Sequence, residues 1–258
     1  MTLPLPTCSR LRPAPSVSPG SILAVRIAIF TIALALPLSA ATVSGRVELR
    51  DSKDAIVSKK GDYSGVVVWL EPLNGEAPAM PVGVKARMVQ KDKTFTPHVL
   101  AIPVGATVDF PNYDPIFHNA FSNYDGKIFD VGLYPPGTSQ SVPFNRAGIV
   151  RVFCNIHASM SAVIAVLATP YFDTTQKNGN FEIRDVPPGE YRLKVFHERA
   201  TMTTLNALSR TITVGSSGLV VPPIQVSESG YLVGPHTNKF GRAYSDPDES
   251  GVYPAKRK

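Results

Sequence analysis

Between residues 42 and 226 the chain is cut into short β-branched runs by Pro, Gly, Asn and Asp, and no stretch sustains the period of a long amphipathic helix. The 24 Pro and 19 Gly are the main punctuation, because each interrupts a helix or a ladder. This pattern restricts the chain to an all-β fold with many turns. The predicted strands are 43–49, 65–72, 84–89, 99–103, 106–110, 131–134, 139–144, 149–153 and 162–167, then 181–183, 190–196, 211–214 and 219–226. Residues 51–62 read as a charged turn, 73–83 as a Pro/Gly/Ala-rich linker, and Asn178-Gly179-Asn180 as a hairpin turn. Trp69 is expected in packing rather than at a functional surface.

A length of 258 residues allows one large or two small domains. The formal charge of +6 overstates the basic character. Residues 1–41 hold Arg10, Arg12 and Arg26 and no acid, and beyond them 23 basic residues face 20 acidic ones. A balance so even and scattered does not suit nucleic acid. Lys256-Arg257-Lys258 reads as a solvated tip. There is no Gly-rich phosphate loop, and no Ser/His/Asp order that suggests a hydrolase.

Residues 26–41 place Arg26 before about a dozen apolar residues and then small residues near Ala40 and Ala41. This is the layout of a cleavable secretory signal, and the run is short for a membrane span, which needs about 20 residues. An uncleaved anchor is the alternative. Residues 1–24 are long for the front of a signal, so translation is expected to start near Val25. Export to the periplasm or medium would leave Cys154 as the one mature cysteine, since Cys8 goes with the leader. A lone Cys there is a free thiol or a metal ligand, and an exposed thiol is an oxidation liability.

Cys154 stands in Val152-Phe153-Cys154-Asn155-Ile156-His157-Ala158-Ser159-Met160, a C-x-x-H-x-x-M spacing. Predicted strands flank this loop on both sides, so its three donors are pinned near one point. His118, in Ile116-Phe117-His118-Asn119, follows a separate strand pair and can supply a fourth. Thiolate, two imidazoles and a thioether form the donor set of a mononuclear blue-copper electron-transfer site. A c-type haem attachment needs a second Cys, and a zinc site normally uses more Cys and no Met. Met160 alone would be core filler; it is the joint occurrence that points to copper.

Phe95-Thr96-Pro97 and the run Pro103 to Phe110 match an "F-x-P … v-x-x-G-x-x-V-x-F" strand pair. Asn112 to Asn119 matches "N-x-D-x-x-x-H-N". With the Cys loop, these motifs make 84–168 resemble a cupredoxin of the plastocyanin, pseudoazurin and amicyanin kind, with the short Cys-to-Met spacing of amicyanin. The resemblance covers about a third of the chain. It implies His118, Cys154 and His157 as equatorial copper ligands and Met160 as axial ligand. It implies that Asn119 hydrogen-bonds across to the Cys loop, and that Ile156, Ala158 and Pro115 belong to an apolar rim where a redox partner docks.

The flanks carry "G-x-V … a-x-V-x-L" over 45–70 and "G-x-F-x-I-x-x-V-P-P-G-x-Y-x-L-x-V" within 171–226. These resemble a carboxypeptidase-regulatory-like, transthyretin-type β-sandwich. Neither flank has enough strands to bury a core alone. The expectation is therefore one discontinuous sandwich, 42–74 plus 169–228, with a cupredoxin Greek-key β-sandwich, 82–168, inserted into it, and an irregular tail over 229–258. Plain tandem order is the alternative.

The expected function is an exported type 1 copper protein, not an enzyme, that passes single electrons between periplasmic redox proteins. No nucleic-acid partner and no membrane span after signal cleavage are expected. Copper delivery is the alternative, and an enzyme with an open copper site is a third class. His98 is expected at the surface, His197 in a structural role and His236 solvated in the tail.

Overall fold

The computed structural model describes residues 41–75, 77–123, 126–232 and 236–244. The expected signal and start site, and the basic tip at 256–258, lie outside the described residues. The described residues are all-β apart from two short helices. Its first segment holds β1 (Ala41–Arg50), α1 (Ala55–Lys60) and β2 (Val67–Pro72). The middle segment holds β3 (Lys85–Arg87), β4 (Val89–Lys91), β5 (Thr94–Thr96), β6 (Val99–Pro103) and β7 (Ala106–Pro111). It continues with β8 (Phe121–Ser122), β9 (Phe129–Asp130), β10 (Ser139–Phe144), β11 (Gly148–Phe153) and β12 (Ser161–Leu167). The last holds β13 (Phe172–Thr174), β14 (Asn180–Val186), β15 (Gly189–Phe196), α2 (Met202–Ala207), β16 (Arg210–Val214), β17 (Leu219–Val220) and β18 (Ile224–Ser227).

The first and last segments build two sheets together. β1 pairs antiparallel with β14 and parallel with β17 and β18. β2 pairs antiparallel with β13 and β15, and β15 with β16. Among the described residues, neither β1 nor β2 pairs with any strand between Lys85 and Leu167. Alternation explains the packing. Val43, Val47 and Leu49 of β1, Phe181, Ile183 and Val186 of β14, and Tyr191, Leu193 and Val195 of β15 are all buried in one core.

The middle segment forms two larger sheets, in the strand orders β6-β12-β11-β8-β9 and β10-β7-β3, and a two-stranded one, β4-β5. β12 has no solvent face. Ala162, Ile164 and Val166 enter a core with Met88, Phe110, Phe144, Cys154 and Met160. Val163, Ala165 and Leu167 enter the core built by β1, β2, β14 and β15. Its continuous apolar run Ala-Val-Ile-Ala-Val-Leu, rather than an alternating one, suits a strand covered on both sides. Trp69 is half-buried beside this junction, with Nε1 donating to Glu71 Oε1 at 2.9 Å, which is a packing position.

Several sequence expectations need correction. The charged turn at 51–62 contains α1, capped by Asp54, whose carboxylate accepts from the Ile56 amide, and ended by Gly61 at φ 64°. α2 was not expected either; at six residues each, the helices are too short for a periodic signal. The strand expected at 131–134 is absent. Gly132 turns left-handed (φ 71°) and its amide is taken by Asp130 Oδ1, so the strand stops at Asp130. Residues 84–89 divide between two sheets as β3 and β4, and 219–226 splits into β17 and β18 around Pro222-Pro223. Asn178-Gly179-Asn180 is a turn but not a hairpin turn, because β13 and β14 belong to different sheets. Gly179 is required there: a Cβ would lie 2.1 Å from the Val47 carbonyl oxygen.

An ion pair ties the β5–β6 connection to the end of β15. The half-exposed His98 donates from Nε2 to Glu198 at 2.8 Å. That hydrogen bond is the main reason the His98 pKa is raised above 6.5, against the opposing effect of burial. A raised folded pKa means that the stabilisation is full below the unfolded value of about 6.5 and is lost as pH rises through the folded value. Between pH 6 and pH 8 the wild-type protein should therefore lose more thermal stability than His98→Gln does. The difference should stay under about 1 kcal/mol because the ring is solvated. Parallel melting curves of the two proteins check this.

Candidate metal centre

The β11–β12 hairpin fixes one wall of the site. The two strands pair from Gly148↔Val166 to Phe153↔Ser161, and the Cys154 amide then donates to the Met160 carbonyl at 3.1 Å. The Met160 amide donates to the His157 carbonyl at 3.0 Å, which folds the loop into a closed turn. Cys154, His157 and Met160 all point inward, with Cys154 and Met160 fully buried and His157 8% exposed.

The opposite wall is the segment from Asn112 to Asn119. Asn112 Oδ1 accepts from the Asp114 amide and its Nδ2 donates to the Ile116 carbonyl, which shapes the turn. His118 is then clamped by a two-way backbone bridge with Tyr134: His118 N to Tyr134 O at 3.2 Å, and Tyr134 N to His118 O at 2.9 Å. The Tyr134 hydroxyl donates to the Phe110 carbonyl at 2.8 Å. The His118 ring is fully buried.

The two walls meet at sulfur. Cys154 Sγ lies 3.9 Å from His118 Nδ1 and 3.6 Å from His157 Nδ1, and the three donor atoms fall within 4.8 Å of one another. A first-row divalent ion about 2.3 Å from a thiolate and about 2.0–2.1 Å from imidazole nitrogens, in a trigonal plane, holds sulfur and nitrogen about 3.8 Å apart. The observed separations bracket that figure, so the residues present fit such an ion. Met160 joins the same core as Cys154.

In the metal-free site, burial favours the neutral form of all three donors. Burial pushes the Cys154 thiol pKa up, partly offset by the amides of Ile156, Asn119 and His157. Burial holds the His157 pKa down at about 4, with the neighbouring His118 adding to the effect. Burial also lowers the His118 pKa, while Asp114 acts against it. Both imidazoles are thus neutral near pH 7, the form that binds a metal.

Asn119 is the brace between the walls. Its Oδ1 accepts from the Asn155 amide at 3.2 Å, and its Nδ2 donates to Asp130 Oδ1 at 2.7 Å and to the Gly132 carbonyl at 3.0 Å. Around the site, Pro115 and Ala158 are exposed and Ile156 is half-buried. Tyr113 (58%) and Phe117 (43%) extend the exposed apolar surface on the His118 side.

Two features went unrecognised in the sequence. The motif match from Asn112 to Asn119 assigns Asp114 no role, yet its buried carboxylate accepts from His118 Nε2 at 2.6 Å. The four-residue spacing to His118 was the available signal. The second is the segment 236–244, which corrects the expectation of a solvated His236. That ring stacks on Phe153 with centroids 4.3 Å apart and donates from Nε2 to the Ala158 carbonyl at 2.6 Å. The Tyr244 hydroxyl donates to the Cys154 carbonyl at 2.9 Å, and the Lys239 amide to Asn155 Oδ1 at 3.0 Å. The segment is irregular, and it is bonded to the ligand loop at three residues. His98 is exposed, and His197 is buried against Glu228 at 2.8 Å, in keeping with the surface and structural roles expected of them.

No family model and no curated protein sequence matches the chain. Solved structures do resemble part of it. A copper-containing nitrite reductase from Thermus scotoductus SA-01 aligns at 27% identity and a TM-score of 0.32, over 38% of this chain and 25% of that one. A purple cupredoxin from Nitrosopumilus maritimus aligns at 24% identity and 0.29, over 32% of this chain and 99% of that one. Amicyanin from Paracoccus versutus aligns at 18% identity and 0.31, over 38% of this chain and 97% of that one. These overlaps are partial, and the chain spans a quarter of the nitrite reductase's length.

Two substitutions test the scaffold. Asn119→Ala leaves the part-buried Asn155 amide without this acceptor and should cost about 1–3 kcal/mol. Tyr244→Phe removes the hydroxyl that bonds both the Cys154 carbonyl and His236 Nδ1 and should cost about 1–3 kcal/mol. Urea denaturation measures both, and the Asn155 amide should exchange faster in Asn119→Ala.

Proposed function

We propose that the chain is an exported type 1 copper protein that carries single electrons. One observation carries the reading: a thiol and two imidazole nitrogens, drawn from two separately braced loops, converge at trigonal spacing in a buried pocket. His118, Cys154 and His157 would hold the ion and Met160 would supply a weak axial thioether. Copper bound there would supply a one-electron couple. The protein's own contribution is to hold the donors fixed and to exclude water, since Cys154, His118 and Met160 have no exposed surface.

Rigidity favours carrying over delivery. A delivery site must open to release its ion, whereas here the Cys loop is closed by its own amides, by Asn119 and by the segment 236–244. A substrate-activating site needs a free coordination position, and four inward protein donors would leave none. Pro115, Ile156 and Ala158, with Tyr113 and Phe117, form the surface on which we place docking of a periplasmic redox partner. Among the described residues, no helix is long and apolar enough to cross a membrane.

We further propose that 42–74 and 169–228 form one host sandwich, of the carboxypeptidase-regulatory-like kind, that displays an inserted copper domain at 82–168. The pairing of β1 and β2 with strands beyond residue 171 supports this order.

The copper(II) protein should show an intense visible thiolate-to-copper charge-transfer band. Cys154→Ser should abolish it entirely, and retention of the band would refute the ligand assignment. Met160→Leu should keep copper and raise the reduction potential, because the axial donor that favours the oxidised ion is gone. Reversible one-electron titration without copper loss supports carrying; loss of copper on each reduction supports delivery instead.

A further inference from the structure

The two imidazoles at the site are held very differently. His118 Nε2 donates to Asp114 Oδ2 at 2.6 Å inside the protein. Among the described residues, no side chain but Cys154 hydrogen-bonds the His157 ring.

Asp114 is itself built in. β4 and β5 pair at Lys91↔Thr94, leaving Asp92 and Lys93 as a two-residue turn with both residues left-handed, at φ 55° and 54°. Neither is Gly, so this turn is held at some cost in backbone energy. It aims two successive amides at one point, as anion-binding backbone nests do. The Asp92 amide donates to Asp114 Oδ1 at 2.6 Å and the Lys93 amide to Oδ2 at 2.9 Å. With the His118 ring, three donors converge on a carboxylate that is 6% exposed.

Resting on the copper reading above, we propose that Asp114 is a positioning residue for the metal centre. Its carboxylate fixes the His118 proton on Nε2, which leaves Nδ1 as a lone pair facing Cys154. As a buried negative charge beside one imidazole, it also raises that ligand's donor strength and favours copper(II) over copper(I). The β4–β5 turn is therefore part of the site's apparatus, although it contributes no ligand.

The test separates hydrogen bond from charge. In the metal-free wild-type protein, 15N NMR should show His118 protonated on Nε2; protonation on Nδ1 would overturn the proposal without any variant. Asp114→Asn keeps an acceptor and loses the charge. It should keep the charge-transfer band while copper(II) affinity, measured by chelator competition, falls about tenfold relative to copper(I). For one electron that ratio is a rise of about 59 mV in reduction potential. Asp114→Ala loses both contributions and should weaken copper(II) by about 100-fold. An unchanged potential and affinity ratio in Asp114→Asn would reduce Asp114 to a purely structural part of the turn and sink the proposal. A wild-type protein with copper but no thiolate band would overturn the copper reading, and this proposal with it.

Discussion

β11 and β12 pair across six residues, and the seven residues between Phe153 and Ser161 have no freedom over where their ends lie. That constraint sets the ligand loop. The hairpin cannot shift register by one residue without turning Ile164 and Val166 out of one core and Val163 and Ala165 out of the other. A strand covered on one side would be held by one core alone. Here two cores lock the same register, and the position of Cys154 follows from it.

The second wall depends on a different mechanism. From Asn112 to Asn119 the chain carries almost no regular structure, so side chains do the work that a ladder does elsewhere. Asn112 shapes the turn, Tyr134 clamps the His118 backbone, and Asn119 bridges to Asn155. These bonds lie in part-buried settings, where losing a partner costs more than making one gains. A wall of irregular backbone can thus be as fixed as a strand, provided that its polar groups are all engaged.

These two mechanisms explain what could be read from the sequence. The all-β class and the 162–167 strand were legible, because β-branched runs and Pro/Gly punctuation are local signals. So was the grouping of Cys154, His157 and His118, since strands on either side of a short loop restrict its donors to one place. The sharing of β12 between two cores was not legible; an apolar run announces burial on both faces but not what covers each. The role of Asp114 was not legible, because its carboxylate is oriented by amides 21 and 22 residues away, in a turn with no Gly to announce it. The segment 236–244 gave no local signal at all. Tyr244 reaches a carbonyl 90 residues earlier, and nothing in its own neighbourhood encodes that.

The resulting site is graded from inside to outside. Cys154, Met160 and His118 have no exposed surface, while the His157 ring reaches 8%. His118 is anchored inward on a carboxylate, and His157 lies on the loop whose far side is strapped by His236 and Tyr244. Of the four residues, His157 alone reaches the solvent. The strap reaches the ligand loop at the Ala158 carbonyl, while Tyr113, Pro115 and Phe117, on the segment that carries His118, are exposed. The same segment that stiffens the ligand loop therefore also covers part of it, at Phe153, Cys154 and Ala158.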